Sequence, residues 1–183
     1  ENPRLSAEWL LGEACGLRWS DIDWRQRALH IRRNVVKLSG QPILVKEPKT
    51  RAGVRVVYLS KELCKLLRVW QKESVWEKEQ RGEGGLEEED YLFRQPGGDP
   101  MVPSTFTFRF KKILREGNLP DNLNVHSLRH TNASLLIAQG VDVRTVASLL
   151  GHAQPSTTLD IYSHAFDKNK KLAQEKLAEA MGL

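Results

Sequence analysis

The pattern of apolar and polar positions predicts one short helix, then strands, then a succession of helices. Ser6 is placed to cap a helix from about Ala7 to Gly16, with Trp9, Leu10, Ala14 and Leu17 at apolar positions. "SDIDWRQRALHI" breaks that period. Three strand-like runs follow, "ALHIRRNVV", "QPILVKEP" and "VRVVYLS", separated by the turn signals "KLSGQP" and "KTRAG". They predict a small antiparallel meander. Helical spacing then returns. Leu63, Leu66, Leu67 and Trp70 form an apolar stripe behind Ser60, and an acidic loop ends that helix. "YLFRQPGGDPM" reads as an extended piece with a turn. Ser104 starts a helix carrying Phe106, Phe110, Ile113 and Leu114 and stopped by Gly117. Another helix runs from near His126 to Gly140. Asp142 caps the next, with Val143, Val146, Ala147 and Leu150 on one face and Gly151 as its stop. Thr157 and Asp160 suggest a capping box for a helix bearing Tyr162, and "KNKKLAQEKLAEAM" reads as a final amphipathic helix with Leu172, Ala173, Leu177, Ala180 and Met181 as its apolar set. There are no internal repeats. The expected class is mostly α with a small three-stranded antiparallel sheet (α+β).

Composition narrows the class. A chain of 183 residues with 40% apolar and 28% charged residues suits one globular domain. No apolar run approaches the length of a membrane span, and no N-terminal stretch has signal-peptide order. Cys15 and Cys64 fall in apolar helical patterns and read as reduced core thiols, which predicts a cytoplasmic protein. The net charge is +5 and the pI about 9.3, a moderate bias consistent with a nucleic-acid partner. Five of the 23 acidic residues are gathered in one glycine-rich loop, "EGGLEEED", which reads as a solvated loop and leaves the remaining surface more basic.

Three stretches hold residues with chemistry. In "HSLRHT", His126 and Arg129 share a helix face, an arrangement suited to a phosphate: the guanidinium fork takes two oxygens and the imidazole moves a proton. The alternative is a first helical turn with a solvated arginine. His126 and His130 also have the spacing of a helical zinc pair, but the glutamate such a site needs is missing and Arg129 stands beside it, which disfavours metal. "KEPKTRAGVR" puts Lys46, Lys49, Arg51 and Arg55 on or beside a hairpin turn, where cations either enter a nucleic-acid groove or keep an edge soluble. Tyr162 is either a core aromatic or a nucleophile; a phenol, with a pKa near about 10, needs a proton acceptor and cations to act as one at neutral pH.

Taken in order, "KEPKT", "HSLRHT", "LLGH" and "TTLDIYSH" resemble the catalytic domain of the tyrosine recombinases, the phage integrase family. "GLRWSDIDWRQRALHI" resembles the segment that joins the family's first catalytic helix to its sheet. The resemblance covers nearly the whole chain. It implies site-specific DNA recombination, integration or excision of a phage or mobile element, through a 3′-phosphotyrosyl intermediate and without metal or cofactor. By this resemblance Tyr162 matches the nucleophile, Arg129 the arginine that clamps the scissile phosphate, and His126 the histidine of proton transfer and phosphate binding. Lys49 matches the hairpin lysine that protonates the leaving 5′-oxygen, and His152 the second histidine that hydrogen-bonds the phosphate. His164 matches nothing with a chemical role.

One position departs from the family pattern. A second arginine is expected three residues before Glu13 and eight before Arg18, and both counts land on Leu10. A leucine cannot bind phosphate. Loss of one charge-assisted donor from a transition-state clamp costs about 3–4 kcal/mol, or ~10²–10³ in rate. Glu13 is also expected to lose its ionic neighbour, and neither Arg4 nor Arg18 is placed to substitute. A deliberately inactivated form, a degenerate recombinase that still binds DNA, and an altered N-terminal segment each account for Leu10. The alternative function is accordingly a non-cleaving DNA-binding relative. The family resemblance further implies residues 1–183 as a catalytic domain without its upstream core-binding domain, a tail over residues 168–183 that docks on a neighbour or folds back, and a tetramer on double-stranded DNA that is monomeric without it. Arg51, Lys111, Lys112 and Arg144 are candidate DNA contacts from their positions, and no membrane partner is expected.

Overall fold

The computed structural model describes residues 10–47, 54–151, 156, 158, 159, 162, 174 and 177–181. Residues 10–15 are helical (α1). A 3₁₀ turn, Trp19–Asp21, leads into β1 (Ile22–Asp23), β2 (Ala28–Ile31), β3 (Asn34–Lys37), β4 (Ile43–Lys46) and β5 (Arg55–Tyr58). The helices α2 (Lys61–Gln80), α3 (Pro103–Glu116), α4 (Val125–Ala138) and α5 (Val143–Leu150) follow. Ser156, Thr158, Leu159 and Tyr162 are helical as well. The mostly α architecture with a small antiparallel sheet is the one the pattern predicts.

The strands are wired differently from a meander. "ALHIRRNVV" is not one strand: it breaks at Arg32 and Arg33 into β2 and β3. The three-stranded sheet has the order β1-β2-β5, while β3 and β4 form a separate antiparallel pair, so β5 returns past that hairpin to pair with β2. A buried ion pair accompanies the break. Asp21, 1% exposed, binds Arg33 Nη1 at 2.7 Å and holds the chain in a corner. The β1–β2 turn is made by Asp23, whose side chain accepts the amides of Arg25 and Gln26, both at 2.9 Å.

Three clusters form the core. Leu17, Trp19, Ile22, Ile31, Leu59 and Leu92 pack between the sheet and α2, which contributes Cys64, Leu67 and Trp70. The stripe predicted on α2 is therefore shifted, with Leu63 and Leu66 exposed. Cys15, Val35 and Met101 join α1 to β3 and to Phe106 of α3. Ala133, Ile137, Val146, Leu150 and Tyr162 unite α4, α5 and the helical residues beyond them. Both cysteines are free thiols, and burial pushes Cys15 up to about 12.

Helix ends follow local chemistry. Ser60 caps α2 by accepting Leu63 N–H, and Asp142 caps α5 by accepting the amides of Arg144 and Thr145. Helix α3 starts one residue before the expected Ser104, at Pro103, whose fixed φ and missing N–H suit a first helical position. Gly12 fixes how α1 lies on the sheet: a Cβ there would meet Asn34 Oδ1 at 1.8 Å and the Val35 carbonyl at 2.6 Å. That close approach brings the next residue, Glu13, to the edge of β5. At the C-terminal end, Gln174 and residues 177–181 are helical, and Leu177 and Met181 are exposed. Among the described residues, no helix is long and apolar enough to cross a membrane.

Candidate active site

Helix α4 carries most of the site. Asn124 caps it by accepting Ser127 N–H, and the Ser127 hydroxyl accepts Asn124 N–H in return. This reciprocal cap fixes the first turn, which places His126, Arg129 and His130 within the first two turns. Arg129 is half-buried there. The imidazoles of His126 and His130 meet edge to face, with ring centroids 4.2 Å apart and their Nε2 atoms at 2.6 Å. That separation holds one shared proton; two nitrogens binding one zinc ion at about 2.0–2.1 Å each, in tetrahedral geometry, lie farther apart.

Tyr162 closes the row. Its side chain is 6% exposed and packs against Ala133, Ile137, Val146 and Leu150, while its hydroxyl lies 2.7 Å from His130 Nδ1. The ring is thus a core aromatic and the oxygen a polar group aimed at the α4 histidines. Of the two readings the sequence offers, the packing of Tyr162 is thus observed, and its hydroxyl stands beside His130.

A second constellation lies where α1, β5 and α5 meet. Arg55 binds Glu13 with both arms, Nη1 to Oε1 at 3.0 Å and Nη2 to Oε2 at 2.8 Å. The expectation that Glu13 lacks an ionic neighbour is thereby overturned: Arg55, expected on or beside a cationic hairpin turn, points inward from β5. Gly151 ends α5 beside it with φ 71°, and a Cβ at that position would come within 2.9 Å of Arg55 Nη1. Glycine suits the left-handed backbone there, and a side chain would press on the Arg55 guanidinium. Leu10 is half-buried on α1, one turn before Glu13. Arg18 is engaged elsewhere, with Glu89, the Tyr91 hydroxyl at 3.2 Å and the Tyr91 ring at 4.8 Å.

The other sequence candidates separate. Lys111 donates to the carbonyls of Asp121 and of Leu123, the latter at 2.8 Å, and so ties α3 to the loop before α4. Lys112 is exposed, 3.6 Å from Glu116, and Arg144 is exposed on the first turn of α5. Lys49, Arg51, His152, His164, Thr157 and Asp160 lie outside the described residues, as does Arg4.

Comparison with known proteins decides the lineage. The profile described as the phage integrase family matches residues 11–169, a span that holds Lys49, His126, Arg129, His152 and Tyr162 and begins immediately after Leu10. The chain belongs to the phage integrase family. Among its relatives is a tyrosine recombinase XerC-like protein of Caldanaerobacter subterraneus subsp. tengcongensis, 31% identical over 95% of this chain and 49% of that protein. Another is the ICEBs1 integrase of Bacillus subtilis, 32% identical over 93% of this chain and 45% of that protein. The chain thus spans about half the length of these integrase relatives. In structure it resembles the Tn1549 transposon integrase solved in complex with transposon right end DNA, with a TM-score of 0.72, 24% identity, and coverage of 96% of this chain and 57% of that one. The integrase catalytic fold is therefore shared.

Two relationships escaped the sequence. The spacing of His126 and His130 was readable as two imidazoles on one face, and the family resemblance put Tyr162 with His126, but the contact of Tyr162 with His130 was not readable. Arg55 was readable as a cation, and nothing local pointed it at Glu13, which lies far away in the chain.

Proposed function

We propose that this chain is the catalytic domain of a tyrosine recombinase that cuts and rejoins double-stranded DNA to integrate or excise a mobile element. The observation that carries this reading is the Tyr162 hydroxyl, 2.7 Å from His130 on the helix that also bears His126 and Arg129. In the proposed step Tyr162 Oη attacks the scissile phosphorus. An Oη–P bond forms, the P–O5′ bond breaks, and the leaving 5′-oxygen takes a proton from Lys49. A 5′-hydroxyl from another strand then displaces the tyrosine. Each transfer exchanges one phosphoester for another, so no nucleotide is consumed. Negative charge grows on the phosphoryl oxygens in the transition state, and hydrogen-bond donors from Arg129, His126 and His152 stabilise it.

On this reading residues 1–183 act with a core-binding domain of the longer protein, in the cytoplasm, as a tetramer on DNA. The tail at 168–183 docks on a neighbouring protomer. The net charge of +5 supports a DNA partner. A nicked suicide duplex tests cleavage: the short 5′ fragment diffuses away and the covalent adduct accumulates. An adduct that survives denaturation and disappears in Tyr162→Phe supports the reading. Leu10 favours a second one, a DNA-binding relative that does not cleave, for which tight binding without adduct is the expected result.

A further inference from the structure

Three groups stand in a hydrogen-bonded row: Tyr162 Oη, 2.7 Å from His130 Nδ1, and His130 Nε2, 2.6 Å from His126 Nε2. Each contact holds one proton, so the row has one of two polarities. In the first, the phenol donates to Nδ1 of His130, whose Nε2–H donates to His126. In the second, His126 donates to His130, which donates to the phenol oxygen. An imidazole nitrogen is a far stronger base than a phenol oxygen, and a phenol a better acid than a neutral imidazole N–H, which favours the first.

We propose that His130 is itself a catalytic residue, the immediate acceptor of the Tyr162 proton, relaying its own Nε2 proton to His126. This rests on Tyr162 being the nucleophile. The balance is closed within the row. As the Oη–P bond forms, the phenol proton moves to His130 Nδ1 and the Nε2 proton of His130 moves to His126 Nε2. His130 ends neutral and His126 ends as an imidazolium. Arg129 already places one cation on the same two turns, and the N-terminal end of α4 opposes a second. A DNA phosphate offsets both, so the relay is favourable when substrate is bound. Packing serves the same end, because the core formed by Ala133, Ile137, Val146 and Leu150 holds the Tyr162 ring and with it the 2.7 Å contact.

The test measures adduct formation on the nicked duplex by the parent and by Leu10→Arg, each with His130→Ala, His130→Gln and Tyr162→Phe. His130→Gln keeps a hydrogen-bonding side chain at the phenol but offers no proton-accepting nitrogen. Loss of general-base transfer predicts a drop in adduct rate of about 10²–10⁴ for both His130 variants, with DNA affinity unchanged. Installing 3,5-difluorotyrosine at position 162, a more acidic phenol, is expected to restore much of that loss in the His130 variants and to change the parent little. A His130→Gln rate within about threefold of the parent overturns the relay while leaving the nucleophile reading intact. Absence of a Tyr162-dependent adduct in both backgrounds overturns the nucleophile reading and the relay with it. Nitrogen-15 NMR of labelled histidine checks the polarity without catalysis: Nδ1 of His130 unprotonated and Nε2 protonated is expected, and a protonated Nδ1 overturns the relay whatever the cleavage result.

Discussion

Arg55 and Glu13 form a two-armed ion pair, at 3.0 and 2.8 Å, that locks β5 to α1 on the border of the candidate site. Their side chains are 12% and 11% exposed, so neither charge has bulk water to fall back on. Arg55→Met leaves a carboxylate buried without its partner and is expected to cost roughly 3–5 kcal/mol. Replacing both, Arg55→Met with Glu13→Gln, is expected to cost less than the sum of the two single changes. Urea unfolding of the four proteins measures the coupling. Strict additivity would contradict the pairing.

Leu10 lies one helical turn from Glu13, so its register on α1 is tied to the same ion pair. The face of α1 that carries Glu13 is the face on which a phosphate-binding arginine belongs by family resemblance. Leu10→Arg is therefore expected to raise the rate of adduct formation by ~10²–10³, the worth of one charge-assisted donor in a transition-state clamp. Suicide-substrate kinetics at saturating DNA check this. A parent that is already fast, and is unmoved by Leu10→Arg, would show that another group fills the position.

Much of this was legible before the fold was known, because it depends on local chemistry. Asp142 and Gly151 mark the ends of α5 by capping rules alone, and the structure has both in those roles. The face shared by His126, Arg129 and His130 follows from helical periodicity. What stayed hidden depends on contacts distant in sequence. The break at Arg32 and Arg33 comes with an ion pair to buried Asp21, and the partner of β2 is β5 rather than the next strand. The shift of the α2 stripe to Cys64, Leu67 and Trp70 reflects where the sheet lies under it; several leucines offer more than one plausible face.

Lys111 and Lys112 are adjacent and were equal candidates for DNA contact, yet the structure gives them different tasks. Lys111 spans from α3 to the carbonyls of Asp121 and Leu123, which orders the approach to α4. Lys111→Met is expected to destabilise the fold by about 1–3 kcal/mol, since hydrogen bonds to a charged donor are lost. Lys112→Gln is expected to leave stability within about 0.5 kcal/mol of the parent, as an exposed pair contributes little. Its effect is expected in DNA binding, where losing one phosphate contact lowers the slope of log affinity against log salt by about 0.9. Thermal melts and a salt series on both variants separate the roles; a reversed pattern would refute both assignments.

Asp90 gives the fold an acid-sensitive tie. Its carboxylate accepts Lys78 Nζ at 2.7 Å and Glu87 N–H at 2.8 Å, joining the end of α2 to the acidic loop. Burial pushes this carboxyl up, but the Glu87 amide and the Lys78 ammonium outweigh it and hold Asp90 below the usual aspartate value. A carboxyl depressed in the folded state stabilises fully above its unfolded value, about pH 4, and the contribution fades as pH falls through the lower folded value. Asp90→Asn strands the Lys78 ammonium, whose side chain is 8% exposed, and is expected to cost roughly 3 kcal/mol near neutral pH. In strong acid the parent has lost the same charge, so the difference between the two proteins should shrink. Urea midpoints taken from about pH 7 down to about pH 3 follow that convergence. A gap that stays constant across the range would mean that Asp90 stabilises by packing, with its charge contributing nothing.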